Sequence, residues 1–449
     1  MLSNLRKLFI KTYGCQMNFY DSEKMVELLR PHGFTITESA SDADLFILNT
    51  CHVRENPTEK VYAELGRIRK IKETRKKKGD DVVIAVAGCV AQAEGEEIFK
   101  RAKFVDVVVG PQSYHHLPVL IEQARREKKW AINLDFLENV KFDSVKQLGE
   151  QTTCNVSSFL SIQEGCDKFC HFCVVPYTRG PEYSRPVHEI YREALNLVSR
   201  STKEITLLGQ NVSAYKGTAP EDRLFSIADL IEHIAKIDGL ELIRYTTSHP
   251  RDMEDNKLFE LHASESKLMP FIHLPVQSGS DKILRTMNRK HDRKLYVDVI
   301  SRFRKANSNI QFSSDFIVGY PGETEQDFLE TISLVEEIGY TQYFAFKYSR
   351  RPGTPASILE NQISEEVKNE RLARLQEVLN RQQLDFNRSM IGNSLDILIY
   401  KNGKKDGQLL GKSPYMQSVI IDDCNADLMN KMVKVKIISA SQNSLVGMI

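Results

Sequence analysis

Short apolar runs rich in β-branched residues alternate with stretches of helical spacing along most of this chain, and that alternation leaves few folds open. In the first 140 residues the runs are Lys7-Leu-Phe-Ile-Lys11, Leu45-Phe-Ile-Leu48, Val82-Val-Ile-Ala-Val-Ala87 and Val105-Asp-Val-Val-Val109. Helical spacing lies between them, as from Ser22 to Leu29 and from Ala93 to Lys100. Strands that are apolar throughout are buried on both faces, which calls for a parallel sheet with helices on each side. Residues 1–140 are therefore read as a doubly wound α/β domain. The polar, weakly periodic residues 138–157 read as a linker.

A second and longer α/β series occupies 155–385. Its strands read Phe159-Leu-Ser-Ile162, Glu204-Ile-Thr-Leu-Leu208, Leu240 to Tyr245, Phe271-Ile-His-Leu274, Phe312 to Val318 and Tyr343-Phe-Ala-Phe346. Helical patterns such as Pro186 to Val198 and Thr324 to Ile338 separate them. About six βα units predict a full or partial (β/α) barrel, a fold that places its chemistry in loops at the C-terminal ends of the strands. A charged helical stretch, Glu365 to Met390, leads to a segment of different period. Leu395 to Tyr400, Val419 to Ile421 and Val433 to Ile438 alternate like strands, and Asn402-Gly403 marks a hairpin. Residues 386–449 are read as a small antiparallel β-barrel, an architecture that often binds oligonucleotides.

Composition narrows the function. Lys and Arg total 61 against 60 Asp and Glu, so nucleic-acid contact must come from local patches. One patch is Arg67 to Lys78, with eight basic residues in twelve. It is either a phosphate-contacting face or a solvated helix end. No run of 18 apolar residues predicts a membrane span, and the first residues lack a signal-peptide pattern, so a cytoplasmic protein without membrane contact is expected. Eight cysteines in such a chain point to metal or catalysis rather than disulfides.

Three of those cysteines lie in Gln163-Glu-Gly-Cys166-Asp-Lys-Phe-Cys170-His-Phe-Cys173, directly after the first barrel strand. Three thiolates in eight residues can wrap one face of an iron–sulfur cluster, whereas structural zinc and iron–sulfur sites usually take four ligands. The fourth iron would be open to a small molecule. The rival is a zinc site completed by His171, which sits inside the loop, or by Cys154, twelve residues upstream in the linker. Cys15, Cys51 and Cys89 each stand just past a predicted strand, after Gly14, Thr50 and Gly88. The C-terminal ends of parallel strands share one edge, so the three can converge. As residues alone they are equally well three buried structural thiols.

The Cys166/Cys170/Cys173 spacing, with an aromatic before the last cysteine, resembles the radical S-adenosylmethionine (SAM) superfamily. The resemblance implies that the open iron chelates SAM and that an electron from the cluster releases a 5′-deoxyadenosyl radical. Phe172 would pack by the adenine. The whole chain resembles the methylthiotransferases, radical SAM enzymes with an N-terminal three-cysteine domain and a C-terminal TRAM domain. Lys11-Thr-Tyr-Gly-Cys15-Gln-Met-Asn18, Asn49-Thr-Cys51-His-Val-Arg-Glu55, Arg179-Gly-Pro-Glu-Tyr-Ser-Arg-Pro186, Leu208-Gly-Gln-Asn-Val-Ser-Ala-Tyr215, His273-Leu-Pro-Val-Gln-Ser-Gly-Ser280, Val318-Gly-Tyr-Pro-Gly-Glu-Thr324 and Tyr348 to Pro355 carry it, and resemble the MiaB branch in particular.

That resemblance implies two 4Fe–4S clusters, the second held by Cys15, Cys51 and Cys89 and carrying the sulfur to be inserted. It implies methylthiolation at carbon 2 of N6-isopentenyladenosine in the tRNA anticodon stem-loop, with SAM as methyl donor and radical source. Partners would be an electron donor such as flavodoxin or ferredoxin and a sulfur or iron–sulfur carrier. Gln210, Asn211, Ser248 and Gln277 at predicted strand ends would contact SAM, or serve only as turns and caps. Gly319, Pro321 and Gly322 would approach its adenine. Glu182 and Arg185 would line the substrate pocket or form ordinary ion pairs. Lys401, Lys404 and Lys405 surround the first turn of the last barrel. Cys154 and Cys424 receive no role. The alternatives are a branch acting on threonylcarbamoyl-adenosine or a ribosomal protein, and, in a different class, a two-cluster electron carrier or an RNA-binding protein with structural metal.

Overall fold

The N-terminal sheet follows from its apolar runs. In the computed structural model, which describes residues 5–52, 57–136, 155–422 and 426–449, β1 (Arg6–Tyr13), β2 (Phe34–Ile36), β3 (Leu45–Thr50), β4 (Val83–Gly88), β5 (Val107–Val109) and β6 (Ala131–Asn133) pair in parallel in the order β2-β1-β3-β4-β5-β6. Alternate residues feed two separate cores. Ile47, Ala85 and Val107 join one, while Phe46, Ile84 and Val108 join the other. This is the doubly wound arrangement the sequence predicts. The strand order reverses between β1 and β3, where such sheets open a crevice at their carboxyl ends. β2 and β6 escape sequence reading because each is a three-residue edge strand. The helix expected over Ala93 to Lys100 is two: α3, within the series α1 (Gln16–Leu29), α2 (Pro57–Lys76) and α3 (Cys89–Glu94), ends at Gly95, whose φ of +54° breaks the helix before Glu97.

By internal contacts the chain divides into two units. The first comprises Met1–Thr153, Glu164–Asp167 and Cys173–Tyr183 within the described residues. The second comprises Cys154–Gln163, Lys168–Phe172 and Ser184–Ile449, again within the described residues. Cys154, Cys424 and nearly all of the predicted linker lie outside the described residues.

In the second unit β7 (Ser157–Ser161), β8 (Glu204–Leu208) and β9 (Leu242–Tyr245) form one parallel sheet, and β10 (Phe271–His273), β11 (Gln311–Val318) and β12 (Gln342–Lys347) another. A parallel bridge from Ile243 on β9 to Leu268, just before β10, connects the two sheets into the partial barrel expected from six βα units. Thr324 and Asp327 form a capping box that starts the helix Glu325–Ile338, and Ser364 caps Glu365–Ser389.

The C-terminal strands β13 (Ser394–Asn402), β14 (Leu409–Lys412), β15 (Ser418–Ile421), β16 (Met432–Ala440) and β17 (Ser444–Met448) close into a barrel, β13-β14-β15-β17-β16. One of its pairs, β15 with β17, is parallel, and the rest are antiparallel. Asn402-Gly403 does not make a two-residue turn. Asn402 pairs with Leu409, and the loop between them is closed by Gly403 N–H donating to Gln408 O at 2.6 Å. Closure of so small a barrel needs bare backbone. A Cβ on Gly411 would stand 2.1 Å from Ile397 Cγ2.

The barrel is fastened to the core by Arg244 on β9. Its Nε donates to Glu204 Oε2 at 2.6 Å, and its Nη1 and Nη2 donate to the carbonyls of Pro414 and Ser413 at 2.8 and 2.9 Å. Lys412 Nζ reaches Glu204 Oε1 at 3.1 Å. Burial would raise the Glu204 carboxyl, but Arg244 and Lys412 outweigh it and hold the group at about 2. Among the described residues no helix is long and apolar enough to cross a membrane.

Candidate metal centres

Strand register decides where the N-terminal cysteines go. Tyr13 pairs with Thr50, and Thr50 with Gly88, so the ends of β1, β3 and β4 lie side by side. Cys15 caps α1, Cys51 follows β3, and Cys89 opens α3. Cys51 and Cys89 are each 4% exposed, while Cys15 faces solvent. Hydrogen bonding from Cys51 lowers the Cys15 thiol to about 6. Burial pushes the Cys89 thiol up.

Two glycines make the approach possible. A Cβ on Gly14, at φ +127°, would lie 2.1 Å from Cys51 Cβ. One on Gly88, at φ +88°, would lie 2.6 Å from Thr50 O. Buried asparagines then pin the loops. Asn18 Nδ2 donates to Asn49 Oδ1 at 3.0 Å, and Asn49 Nδ2 donates to Asn18 O at 2.7 Å. Cys15 Sγ donates to Asn18 Oδ1 at 3.1 Å.

The sequence reading gave no role to Arg179, which the structure places here. Its side chain is 2% exposed, and Nη2 pairs with Asp21 Oδ2 at 2.7 Å. The guanidinium interacts with both Cys89 and Cys15. Three thiols on adjacent strand ends beside a buried cation, framed by glycines where any Cβ would intrude, make a donor set and cradle that fit an iron–sulfur cluster. Among the described residues no three His, Cys, Asp or Glu side chains gather closely enough for a single metal ion.

The second cysteine loop is shaped by local backbone. Gly165 has φ +74°, and a Cβ there would lie 1.8 Å from Pro181 O. Cys166 N–H donates to Gly180 O at 3.3 Å, and Val175 N–H donates to Cys173 Sγ at 3.5 Å. Glu182 is half-buried, with its N–H on Asp167 Oδ1 at 3.1 Å. In the second unit Cys170 is buried and accepts from Arg289 Nη1 at 3.5 Å, a partner no sequence signal marked. His171 directs Nδ1 to Thr286 O at 2.8 Å. Phe172 packs against Ile283, Met287, Tyr320, Tyr348 and Ala356.

The strand-end residues divide by their partners. Gln210 and Asn211 both donate backbone N–H groups to Gln163 Oε1, at 3.0 and 3.1 Å. The Asn211 side chain is occupied by Asp252, Ser213 and His249. Asp252 in turn pairs with Lys168 at 2.7 Å. Ser248 is buried with no hydrogen-bond partner for its hydroxyl. Thr247 beside it has φ +69°, and Gln277 has φ +79°. Non-glycine residues held in that region store strain, which gathers at functional sites. Gly319, at φ +69°, donates its N–H to Glu323 Oε2 at 2.7 Å, and Arg371 Nη1 holds the same carboxylate at 2.7 Å. Pro321 is buried in that turn, and a Cβ on Gly322 would meet only open space. Arg185 is 4% exposed and pairs with Glu193 at 2.8 Å.

The basic run on and after α2 is partly neutralised. Arg67 pairs with Glu64, Arg69 with Glu73, Lys72 with Asp106, and Arg75 with Asp44 and Asp80. Lys70, Lys76, Lys77 and Lys78 are exposed, as are Lys401, Lys404 and Lys405 on the barrel.

Known proteins match the chain in the same three parts. The model described as Uncharacterized protein family UPF0004 matches residues 7–110, the Radical SAM superfamily 160–335, and the TRAM domain 388–449. A tRNA-2-methylthio-N(6)-dimethylallyladenosine synthase of Rickettsia canadensis is 58% identical over 444 residues, 98% of this chain and 99% of its own length. The synthase of that name from Rickettsia typhi is 56% identical over 443 residues, again 98% and 99% of the two chains. The solved structure of the radical SAM methyltransferase TsrM from Kitasatospora setae superposes with a TM-score of 0.56 at 13% identity, over 79% of this chain and 77% of that one. The cobalamin-dependent radical SAM enzyme OxsB gives a TM-score of 0.52 at 12% identity, over 84% of this chain and 56% of that one. Those two likenesses are of fold; the near full-length identity is of family. The chain belongs to the family of the tRNA-2-methylthio-N(6)-dimethylallyladenosine synthases, within the radical SAM superfamily.

Proposed function

We propose that the chain is a tRNA methylthiotransferase that converts N6-isopentenyladenosine next to the anticodon into its 2-methylthio derivative. The observation that carries this is 58% identity across 98% of the chain to proteins named for that product. A 4Fe–4S cluster with an open iron would supply the electron that cleaves SAM, and a second would carry the inserted sulfur. Cys166, Cys170 and Cys173 would hold the first; Cys15, Cys51 and Cys89 would hold the second.

The other residues act by position. Phe172 and the Gly319-Tyr-Pro-Gly322 turn would offer an apolar face and bare backbone to the SAM adenine. The Ser248 hydroxyl, buried and without a partner, and Gln277 would hydrogen-bond SAM. Asn211 and Gln210 would keep the strand-end loops in shape, because Gln163 and Asp252 already hold them. Glu182 and Arg185 would stand at the substrate. An anticodon loop suits such an enzyme, since its bases splay out of the stack readily. The division into 1–140, 155–385 and 386–449 gives one domain each to sulfur, radical chemistry and RNA. A flavodoxin or ferredoxin would deliver electrons, an iron–sulfur carrier would restore sulfur, and the cytoplasm is the compartment.

The test is an anaerobic assay on prenylated and unprenylated tRNA. Turnover of the prenylated RNA with release of 5′-deoxyadenosine is expected. Turnover of the unprenylated RNA alone would move the enzyme to the threonylcarbamoyl branch, and no 5′-deoxyadenosine at all would favour a two-cluster electron carrier or an RNA-binding protein with structural metal. Iron analysis checks the cofactors, with about eight irons per chain expected and about four after either cysteine trio is replaced.

A further inference from the structure

Arg179 is a buried cation with more donors than its carboxylates take up. Its side chain is 2% exposed and that of Asp21 is 1% exposed. Nη2 is committed to Asp21 Oδ2 at 2.7 Å. Glu164 Oε1 lies 3.7 Å from Nη1, too far for a hydrogen bond, while its Oε2 already accepts from Gln112 Nε2 at 2.7 Å. Nη1 therefore has no hydrogen-bond partner. A buried, charged donor without one is costly, so its persistence calls for an acceptor. The helix that ends at Arg179, Val175–Arg179, packs on α3, which Cys89 opens, and the guanidinium acts electrostatically on that thiol.

We infer that Arg179 is a positioning residue of the sulfur-carrying centre: Asp21 anchors its Nη2 and leaves Nη1 to donate to sulfur at the Cys89 corner, which holds up the reduction potential of the bound cluster. The inference rests on the reading of Cys15, Cys51 and Cys89 as cluster ligands. Potentials of such clusters follow net charge, hydrogen bonds to sulfur and solvent exposure. A guanidinium at 2% exposure acts through the first two, with little water to screen it. Asp21 comes from α1, directly after Cys15, and Arg179 from the segment after Cys173. The contact thus ties the loop of one trio to the surroundings of the other within a single unit.

The experiment uses the full chain with Cys166→Ala, Cys170→Ala and Cys173→Ala, so that only the second cluster remains. This background, with Arg179→Gln or Arg179→Lys added, is reconstituted with iron and sulfide, assayed for iron, and titrated redox-potentiometrically under electron paramagnetic resonance. All three are expected to bind about four irons. The glutamine variant should show at least a tenfold fall in the reduced-to-oxidised ratio at a fixed potential, about 59 mV for a one-electron couple. The lysine variant should fall between, keeping the charge but not the fork. Equal midpoints with full iron in all three would overturn the role. Should the glutamine variant fail to fold, an intermediate midpoint for the lysine variant supports the role and an unshifted one overturns it. A background that binds no iron at all would remove the cluster, and the inference with it.

Discussion

Replacing Arg244 by methionine isolates the joint between the barrel and the radical SAM core. The substitution keeps side-chain volume and removes one charge and three hydrogen bonds, to Glu204 and to the carbonyls of Pro414 and Ser413. Glu204 is left 1% exposed, with Lys412 at 3.1 Å and the Ser157 hydroxyl at 2.6 Å as its partners. Removing one member of a buried pair typically costs about 3–5 kcal/mol. The carboxyl itself gives a similar figure. Held at about 2 in place of 4.5, its ionised form contributes about 3 kcal/mol to the folded state at neutral pH. Lys412 places the expected loss at the lower end, about 3 kcal/mol. Hydrogen exchange of the β14 and β15 amides should then accelerate roughly 100-fold at neutral pH. Because the folded value is depressed, this stabilisation is complete above pH 4.5 and disappears as pH falls towards 2. The difference between parent and variant should shrink in that window. Adding Glu204→Gln should recover part of the loss, with a coupling of about 1–3 kcal/mol. Exchange within threefold of the parent, or strict additivity of the two substitutions, would refute the reasoning.

Three further outcomes follow from other parts of the molecule. Gly165→Ala drives a Cβ to 1.8 Å from Pro181 O at φ +74°, so the Cys166 loop should deform and bound iron should fall from about eight to about four per chain. Thr247→Asn places a residue tolerant of φ +69° where a β-branched one sits, and should raise stability in urea by about 1 kcal/mol while weakening SAM binding in equilibrium dialysis. Lys404→Glu with Lys405→Glu should weaken tRNA binding and reduce the salt slope of affinity by about 2, read from filter binding across salt concentrations; an unchanged slope would place the RNA elsewhere.

Much of the architecture was legible because parallel sheets write themselves into sequence. Val83 to Gly88 and Leu45 to Thr50 are buried at every residue, so their apolar runs admit no half-exposed alternative. The strands that went unseen were short or held open by glycine: Phe34–Ile36 and Ala131–Asn133 at the sheet edges, and Leu409–Lys412 with Ser444–Met448 in the barrel. Their residues are chosen by close packing, as at Gly411, rather than by a period of two. The basic run of residues 67–78 shows the opposite fault. Its charge was obvious, yet Asp44 and Asp106 reach Arg75 and Lys72 from distant segments.

The sequence by itself determined the two cysteine trios, the strand ends that bear them and the family to which the chain belongs, because thiol spacing and strand-following position are local properties of the chain. Only the tertiary structure decided which groups surround them. Arg179 reaches Asp21 across 158 residues and Arg289 reaches Cys170 across 119. Charges buried in protein are placed by whichever partner the fold brings within a few ångströms, and no period or motif along the chain records that distance.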